Sequence, residues 1–582
     1  MAKSTRFTAR MQRLSDRWHA ARAVRGPRYS GGFVSAPEPR TIGGFNRGRQ
    51  LLAGNFMFAG HLLQQPNTSD LWDLDVPNED FALELQGFVW LDDLAAVGDA
   101  PARQAAQNWL WSWIARYGTG RGAGWTPVLA GRRTLRWVNH GIFLLRGVDA
   151  AHSDAFFQSL AAQTRFLARR WQGAAPGLPR IEALSGLIYA SLALEHTQDT
   201  IAPVCKALDR ECDAAISKDG GLKSRNPEAL LEAFTLLTWL AAALSDAGRD
   251  PSPAHLSAIQ RIAPTLRTLR HADGGLARFH GGGRGLDGRL DHALAQSRVR
   301  GSQPDGLAMG FARLSAGRTS MIIDASLVPD GADSLNAHAS TLAFELTSGR
   351  RPLVVNCGSG RSFGSEWRRA GRATPSHSTL SLDGYSSARL GAKDPISGLE
   401  PVIEGPTHVP IEIGHIADGL RFQGGHNGFV PTHGLTHART LELTFDGRGM
   451  AGEDMLLSLT DTEKRRFERA LDATGTKGIA FDIRFHLHPE VDVTLDRGGT
   501  AVSMALKSGE IWLFRQDGTQ ELRIEASVYL ESGRLKPRAT NQIVLSGRAM
   551  SYATRVRWSL SKAQGTALGV RDLVDERTDM TD

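Results

Sequence analysis

The sequence predicts an α+β chain of two unlike halves: a helical N-terminal domain followed by a large antiparallel β-sandwich. Three observations carry this expectation. From about Asn78 to Leu269, apolar residues recur at three- and four-residue spacing, as amphipathic helices require. From about Arg318 onward they alternate, with Asp-Gly and Ser-Gly punctuation, as strands joined by tight turns require. Between the two lies a glycine-rich run, His271 to Arg289. Helices first and strands second mean separate layers rather than alternating βαβ units.

Taken in order, residues 1–53 read as a basic N-terminal extension. Their opening, MAKSTRFTARMQRLSDRWHAARAVRG, is arginine-rich and holds no apolar run of signal-peptide length. Residues 54–290 read as the helical domain, carried by segments such as WLDDLAAVG, ARQAAQNWLWSWIARYG, SDAFFQSLAAQTRFLARRW and NPEALLEAFTLLTWLAAALS. Asp219-Gly220-Gly221 closes one helix, and Asn226-Pro227 caps the next. Short links make neighbouring helices antiparallel, giving a bundle or an incomplete α/α toroid. Residues 300–565 read as the sandwich, with strands in RTSMIIDASLV, STLAFELTSG, PLVVNCG, STLSLDG, ARTLELTFDGRG, FDIRFHLHP, EASVYLESG, NQIVLSG and TRVRWSLS. Residues 566–582 read as a polar tail.

Composition narrows the function. Sixty-eight Lys and Arg against 61 Asp and Glu leave a net charge of +7. That balance favours anionic partners such as acidic sugars, nucleic acid or membrane surfaces, or is simply a basic surface. No stretch approaches the roughly 20 apolar residues of a membrane span. A soluble, cytoplasmic protein is expected, with periplasm or cell envelope as the alternative. The three cysteines, Cys205, Cys212 and Cys357, form no disulfide framework. Gly281-Gly282-Gly283 follows no strand of a βαβ unit, and no Gx4GK[ST] run occurs, so no nucleotide cofactor is expected.

Several polar residues stand out. In FDIRFHLHP, Phe481, Ile483, Phe485 and Leu487 share one strand face, while Asp482, Arg484, His486 and His488 share the other. That second face could hold an anionic sugar or be a solvated surface. His426, Asn427, His433 and His437 cluster around a loop, where binding groups often sit. Asn139 and His140, beside Arg136 and Trp137, either line the helical cleft or pack in the core. Trp109, Trp111 and Trp113 alternate along one helix and cannot share a face. His338 reads as the start of a strand running through Ser340, Leu342, Phe344 and Leu346.

NAHASTLAFELTSGRRPLVVNCG, WRRAGRATPSHSTLSLDG, HNGF, ARTLELTFDGRGMAGEDML and RFHLHP together resemble the heparinase II/III-like C-terminal domain. FMFAG, DGGLKSRNPEALLE and RHADGGLARFHG are similar to the helical half of the same proteins, in a bacterial subgroup without a signal peptide. The resemblance implies β-elimination on uronic-acid polysaccharides, glycosaminoglycans among them. That chemistry needs a group to neutralise the uronate carboxylate, a base for the C5 proton and an acid for the leaving O4.

Position by position, the resemblance places a divalent metal such as zinc at His338, Asn356 and His377. It places Asn336 where the family has a catalytic histidine, and Leu178 and Pro179 where it has a neutralising Asn-His pair. The tyrosine expected after the DGG stretch is missing, since none lies between Tyr189 and Tyr385. An active enzyme would therefore draw its acid and base from His426, His486 and His488. Arg484 or Asn336 would neutralise the carboxylate, and Asn139 and His140 would contact substrate from the helical half. The implied partner is an anionic polysaccharide or oligosaccharide, with no nucleic acid. The alternative is a catalytically inactive relative that binds anionic glycan or envelope precursors.

Overall fold

The computed structural model describes residues 2–66, 70–301, 306–394 and 398–563, with side chains from Arg10 onward. The polar tail expected at 566–582 lies outside the described residues. The chain forms an N-terminal helical toroid and a C-terminal antiparallel β-sandwich, each with its own apolar core.

The helical half is built from short capped helices. Asn78, Asp99, Thr126, Asp149, Asn226 and Ser252 each accept from a backbone N–H of the helix that follows, satisfying donors that helix geometry leaves free. Pro127–Asn139 crosses Leu178–Ala193 at a glycine contact. A Cβ on Gly186 would lie 2.2 Å from the Gly131 carbonyl, and one on Gly131 would lie 2.5 Å from the Glu182 carbonyl. Trp109 and Trp113, one turn apart, are buried, whereas half-buried Trp111 lies 5.0 Å from the His152 ring. Pro227–Asp246 is long and apolar enough to cross a membrane, contrary to the sequence expectation. Leu230, Phe234, Leu237 and Leu240 nonetheless bury it in the core.

Part of the segment read as an extension is built into this half. Helix Ala2–Val24 packs along Ala150–Arg170, with Ala20 and Ala23 fully buried and Asp16 accepting from Arg170 Nε at 2.7 Å. Phe45–Leu52 packs on Val89–Val97.

The sandwich has two antiparallel sheets. One runs, in spatial order, Ile411–Ile416, Gly419–Phe429, Leu435–Thr444, Gly449–Leu457, Ala553–Lys562, Ile511–Gln516, Ala501–Ala505 and Asp492–Leu495. The other runs Glu521–Tyr529, Arg538–Ala549, Ile479–Leu487, Arg351–Val355, Phe344–Ser348, Thr319–Asp324 and Phe311–Ala316, with Leu380–Leu382 pairing on Ile479–Leu487. Leu435–Thr444 alternates buried and half-buried along its whole length, as a sheet with one face on a core must. The strands at 411–429 escape the sequence reading because GGHNG lacks β-propensity. Helix Asp461–Ala473 sits among the strands behind a Thr460–Glu463 capping box.

Two expectations are corrected. His338 does not start a strand: the strand begins at Phe344, and residues 337–343 are irregular, with Leu342 at φ +66°. The His338 backbone and ring are both spent on the helical half, so they cannot join a ladder. His486 and His488 do not share an open polar face with Arg484. Both are buried, because the Pro375 carbonyl caps His486 at 2.9 Å and the Tyr529 ring meets His488 edge-on at 5.0 Å.

Two arginines tie the halves together. Arg225 donates to the Met309, Gly310 and Leu327 carbonyls and to Asp324. Arg278 donates to the Asn356, Cys357 and Leu530 carbonyls, its guanidinium 3.9 Å above the Tyr529 ring. A further close contact lies at Gly60 (φ +78°), where a Cβ would fall 1.7 Å from the Ser362 carbonyl. Only glycine fits there, so the hairpin Asn55–Gln64 of the helical half rests directly on the sandwich.

Candidate functional site

The junction gathers the polar residues. On the sandwich side stand Asn336, at the end of the 3-10 turn Gly331–Asn336, and Arg361 and Arg368 from the loop and short helix that follow Ser359. On the helical side stand Glu84, Arg47 and Arg132. Arg368 Nη2 donates to Asn336 Oδ1 at 2.6 Å, fixing the Asn336 side chain. Burial pushes the Glu84 carboxyl above its ordinary range; the Ala59 N–H at 2.6 Å and Arg361, Arg47 and Arg132 only partly offset this. Arg361 is exposed and has no ion-pair partner among the described residues. Two of these arginines are already paired, Arg47 with Asp93 at 3.0 Å and Arg132 with both Glu182 oxygens at 2.8 and 3.0 Å, so Arg361 and Arg368 are the guanidinium groups near Glu84 without a carboxylate partner among the described residues. Glu84 was invisible in the sequence because EDFALELQ reads as an ordinary amphipathic helix.

A layer of buried histidines also lies at the junction. The His338 N–H donates to His280 Nδ1 at 3.1 Å, and the Gly281 N–H donates to His338 Nε2 at 3.0 Å. These bonds leave the proton of each neutral ring on the other nitrogen. His280 Nε2 then faces Asp324 Oδ2 at 3.3 Å. His338 stacks on His377 with centroids 5.0 Å apart; His338 Nδ1 and both His377 nitrogens have no hydrogen-bond partner among the described residues. Burial, reinforced by neighbouring histidines and arginines, pulls His338 well below its ordinary pKa; burial chiefly takes His377 down to about 3.

The structure brings His338 and His377 together, but Asn356 is turned away. Its Oδ1 accepts from the Ser378 N–H at 2.9 Å and its Nδ2 lies 3.4 Å from Glu345 Oε1. Two neutral imidazoles without an anionic ligand make a poor zinc set. No group of three His, Cys, Asp or Glu among the described residues is arranged to hold a metal. The residues do not fit the implied ion.

His426, His486 and His488 do not converge on one site. His426 faces its cross-strand partner His437 in the first sheet. The Gly428 N–H donates to His426 Nδ1 at 3.1 Å, His426 Nε2 donates to His437 Nδ1 at 3.3 Å, and His437 Nε2 donates to Asp454 Oδ1 at 2.7 Å. Arg439 binds both Asp454 oxygens and the Leu342 and Ser378 carbonyls, which lie just before strands of the facing sheet, and Trp558 Nε1 donates to Asp454 Oδ2 at 2.9 Å. This network sits wholly inside the sandwich. His486, in the second sheet, lies 2.8 Å from Ser527 Oγ and 3.5 Å from Cys357 Sγ. His488 is held neutral, its pKa lowered to about 3 by burial and by Arg538, Arg278, Arg284 and Arg351.

The remaining candidates are structural in their contacts. Arg484 pairs with Asp482 at 2.6 Å and Glu525 at 3.3 Å on the sheet surface. Asn139 Oδ1 accepts from the Arg40 N–H at 2.8 Å, and His140 Nε2 lies 2.9 Å from Asp92 and 2.8 Å from Thr41 Oγ1. Both hold the 40–41 segment against the helices.

Comparison with known proteins agrees with this architecture. A family model described as heparinase II/III-like, C-terminal, matches residues 298–559. FtsZ-localized protein C of Caulobacter vibrioides is 31% identical over 560 residues, covering 93% of this chain and 92% of that protein. A crystal structure of heparinase III superposes with a TM-score of 0.66 at 13% identity, over 94% of this chain and 89% of the other. A heparan sulfate lyase from Pedobacter heparinus gives 0.54 at 14% identity, over 89% and 82%. With a relative this similar along nearly its whole length, the chain belongs to the heparinase II/III-like family.

Proposed function

We propose that this chain uses a polysaccharide-lyase fold to bind an anionic glycan or envelope precursor without cleaving it. The observation that carries this reading is the Asn336–Arg368 bond, at the residue that the sequence resemblance sets against the family's catalytic histidine. An amide locked to a guanidinium accepts no proton at neutral pH, and the tyrosine that the resemblance leads one to expect after the DGG stretch is missing. The histidines named as substitute bases are buried in hydrogen-bond networks, where a C5 proton cannot reach them. The junction retains groups that recognition could use: Arg361 and Arg368, neither paired with a carboxylate among the described residues, for carboxylate or sulfate groups, with Glu84 protonated more readily than an ordinary glutamate.

The relative's name supports a place of action. FtsZ-localized protein C is, by its name, localised with FtsZ, and we infer the same localisation here. The test combines two measurements on the purified chain against a panel of uronate polysaccharides and oligosaccharides. Near-ultraviolet absorbance follows the C4–C5 double bond that β-elimination creates, and calorimetry follows binding. The expected result is saturable binding with a flat absorbance trace. A rising trace that is lost in both His426→Ala and His488→Ala would replace this reading with the lyase reading.

A further inference from the structure

Helix Ala2–Val24 has two faces with different fates. Its inner face is fixed to the body: Ala20 and Ala23 are fully buried, Asp16 pairs with Arg170, and Arg165 Nε donates to the Ala23 carbonyl at 3.0 Å. Its outer face carries Met11, Leu14 and Trp18, which are 50%, 49% and 56% exposed. Their spacing of three and four residues stacks them in a single stripe. Isolated exposed apolar residues are ordinary; three in register on one helix, one of them a tryptophan, are not.

The charge beside the stripe points to its occupant. Arg10, Arg13, Arg17 and Arg22 are exposed, and none has an ion-pair partner among the described residues. Arg22 places its guanidinium 5.3 Å from the Trp18 ring centroid, so cation and indole share one depth. In the first 26 residues seven Lys and Arg face one Asp, and that Asp is the buried Asp16. The segment therefore holds six of the seven net positive charges of the chain. A narrow apolar stripe with an interfacial tryptophan, edged by unpaired arginines, is the pattern of a helix lying in a lipid headgroup layer.

We propose that the outer face of Ala2–Val24 docks this protein on an anionic lipid bilayer, Met11, Leu14 and Trp18 entering the headgroup boundary and the arginines binding lipid phosphates. Because the inner face is anchored, docking holds the whole body against the membrane. The surface is separate from the interdomain cleft and does not depend on what the cleft binds.

The full chain is sedimented with vesicles of phosphatidylcholine alone and with vesicles containing about one-third phosphatidylglycerol. It is expected to sediment with the anionic vesicles only, and to be released by added salt. Leu14→Ser with Trp18→Ser should weaken binding at least tenfold. Arg10→Ser, Arg13→Ser and Arg17→Ser together should weaken it about a hundredfold, since each surface arginine contributes near fivefold. Both variants should keep the wild-type melting temperature, because the altered side chains point away from the body. Equal binding to both vesicle types, no binding, or undiminished binding by well-folded variants would overturn the proposal. So would self-association of the wild type without vesicles that either variant abolishes, which would make a second copy the occupant.

Discussion

Arg225 of the helical half reaches across the junction and donates to Asp324 of the sandwich at 2.5 Å, both side chains buried. Burial alone would raise the Asp324 carboxyl; Arg225, His280 and Ser340 outweigh it and hold it well below the usual carboxylate range. Arg225→Met would strand that charge, and we expect a loss of about 3–5 kcal/mol in a denaturant titration. Arg225→Met combined with Asp324→Leu should cost clearly less, because no unpaired ion remains. Equal losses in the single and double variants would mean that Asp324 does not depend on Arg225.

The buried histidines set an acid limit on stability. His280, His338, His377, His426, His437 and His488 all have folded pKa values below the ordinary histidine value, with burial the leading cause. When a histidine's folded pKa is depressed, the unfolded chain takes up the proton first as pH falls. Stability is therefore complete above the unfolded value near 6.5, and it declines as pH drops from there toward the folded pKa, about 3 for His377 and His488. Each such group contributes up to about 1.4 kcal/mol per pH unit within that window. Melting temperatures measured from pH 7 to pH 4 should fall steeply, and His377→Leu should flatten the decline. A flat wild-type profile would mean that these rings are not buried as neutral groups.

How much of this was legible in the sequence depends on periodicity. Spacing alone separates helical from strand regions and finds FDIRFHLHP, because one face of each element must be apolar. It cannot tell an open polar face from one that another segment covers: His486 looks like a binding group until Pro375 and Ser527 are seen around it. Nor can spacing join residues from separate segments. His280 comes from the linker and Asp324 from a strand, and their contact with His338 exists only once the halves dock. Met11, Leu14 and Trp18 sit in a segment that charge alone marked as an extension, and only their exposure distinguishes the stripe from a core face.

Glu84 gives glycan binding a direction with pH. Its raised pKa means that a proton is held longer than on an ordinary glutamate and is released as pH rises through the raised value. Ionisation adds a negative charge to the site proposed to bind anions, so affinity should weaken as pH rises and strengthen as it falls. Calorimetric titrations across pH 5 to 8 should show this slope, and Glu84→Gln should remove it. A slope unchanged in that variant would assign the titration to the ligand or to another group.

Arg361 and Arg368 separate recognition from support. Arg368 is half-buried and donates to Asn336 and to the Leu335 carbonyl, so Arg368→Ala should loosen the Gly331–Asn336 turn as well as weaken binding. Arg361 is exposed and makes no ion pair among the described residues, so its guanidinium is free to meet a ligand. Arg361→Ala should leave the melting temperature within about 1 °C, since surface changes away from fixed contacts cost little. It should also lower glycan affinity about tenfold or more, the worth of one charge-assisted bond. If affinity is unchanged by Arg361→Ala but lost with Arg368→Ala in step with stability, the junction is a structural seam and the glycan site lies elsewhere on the chain.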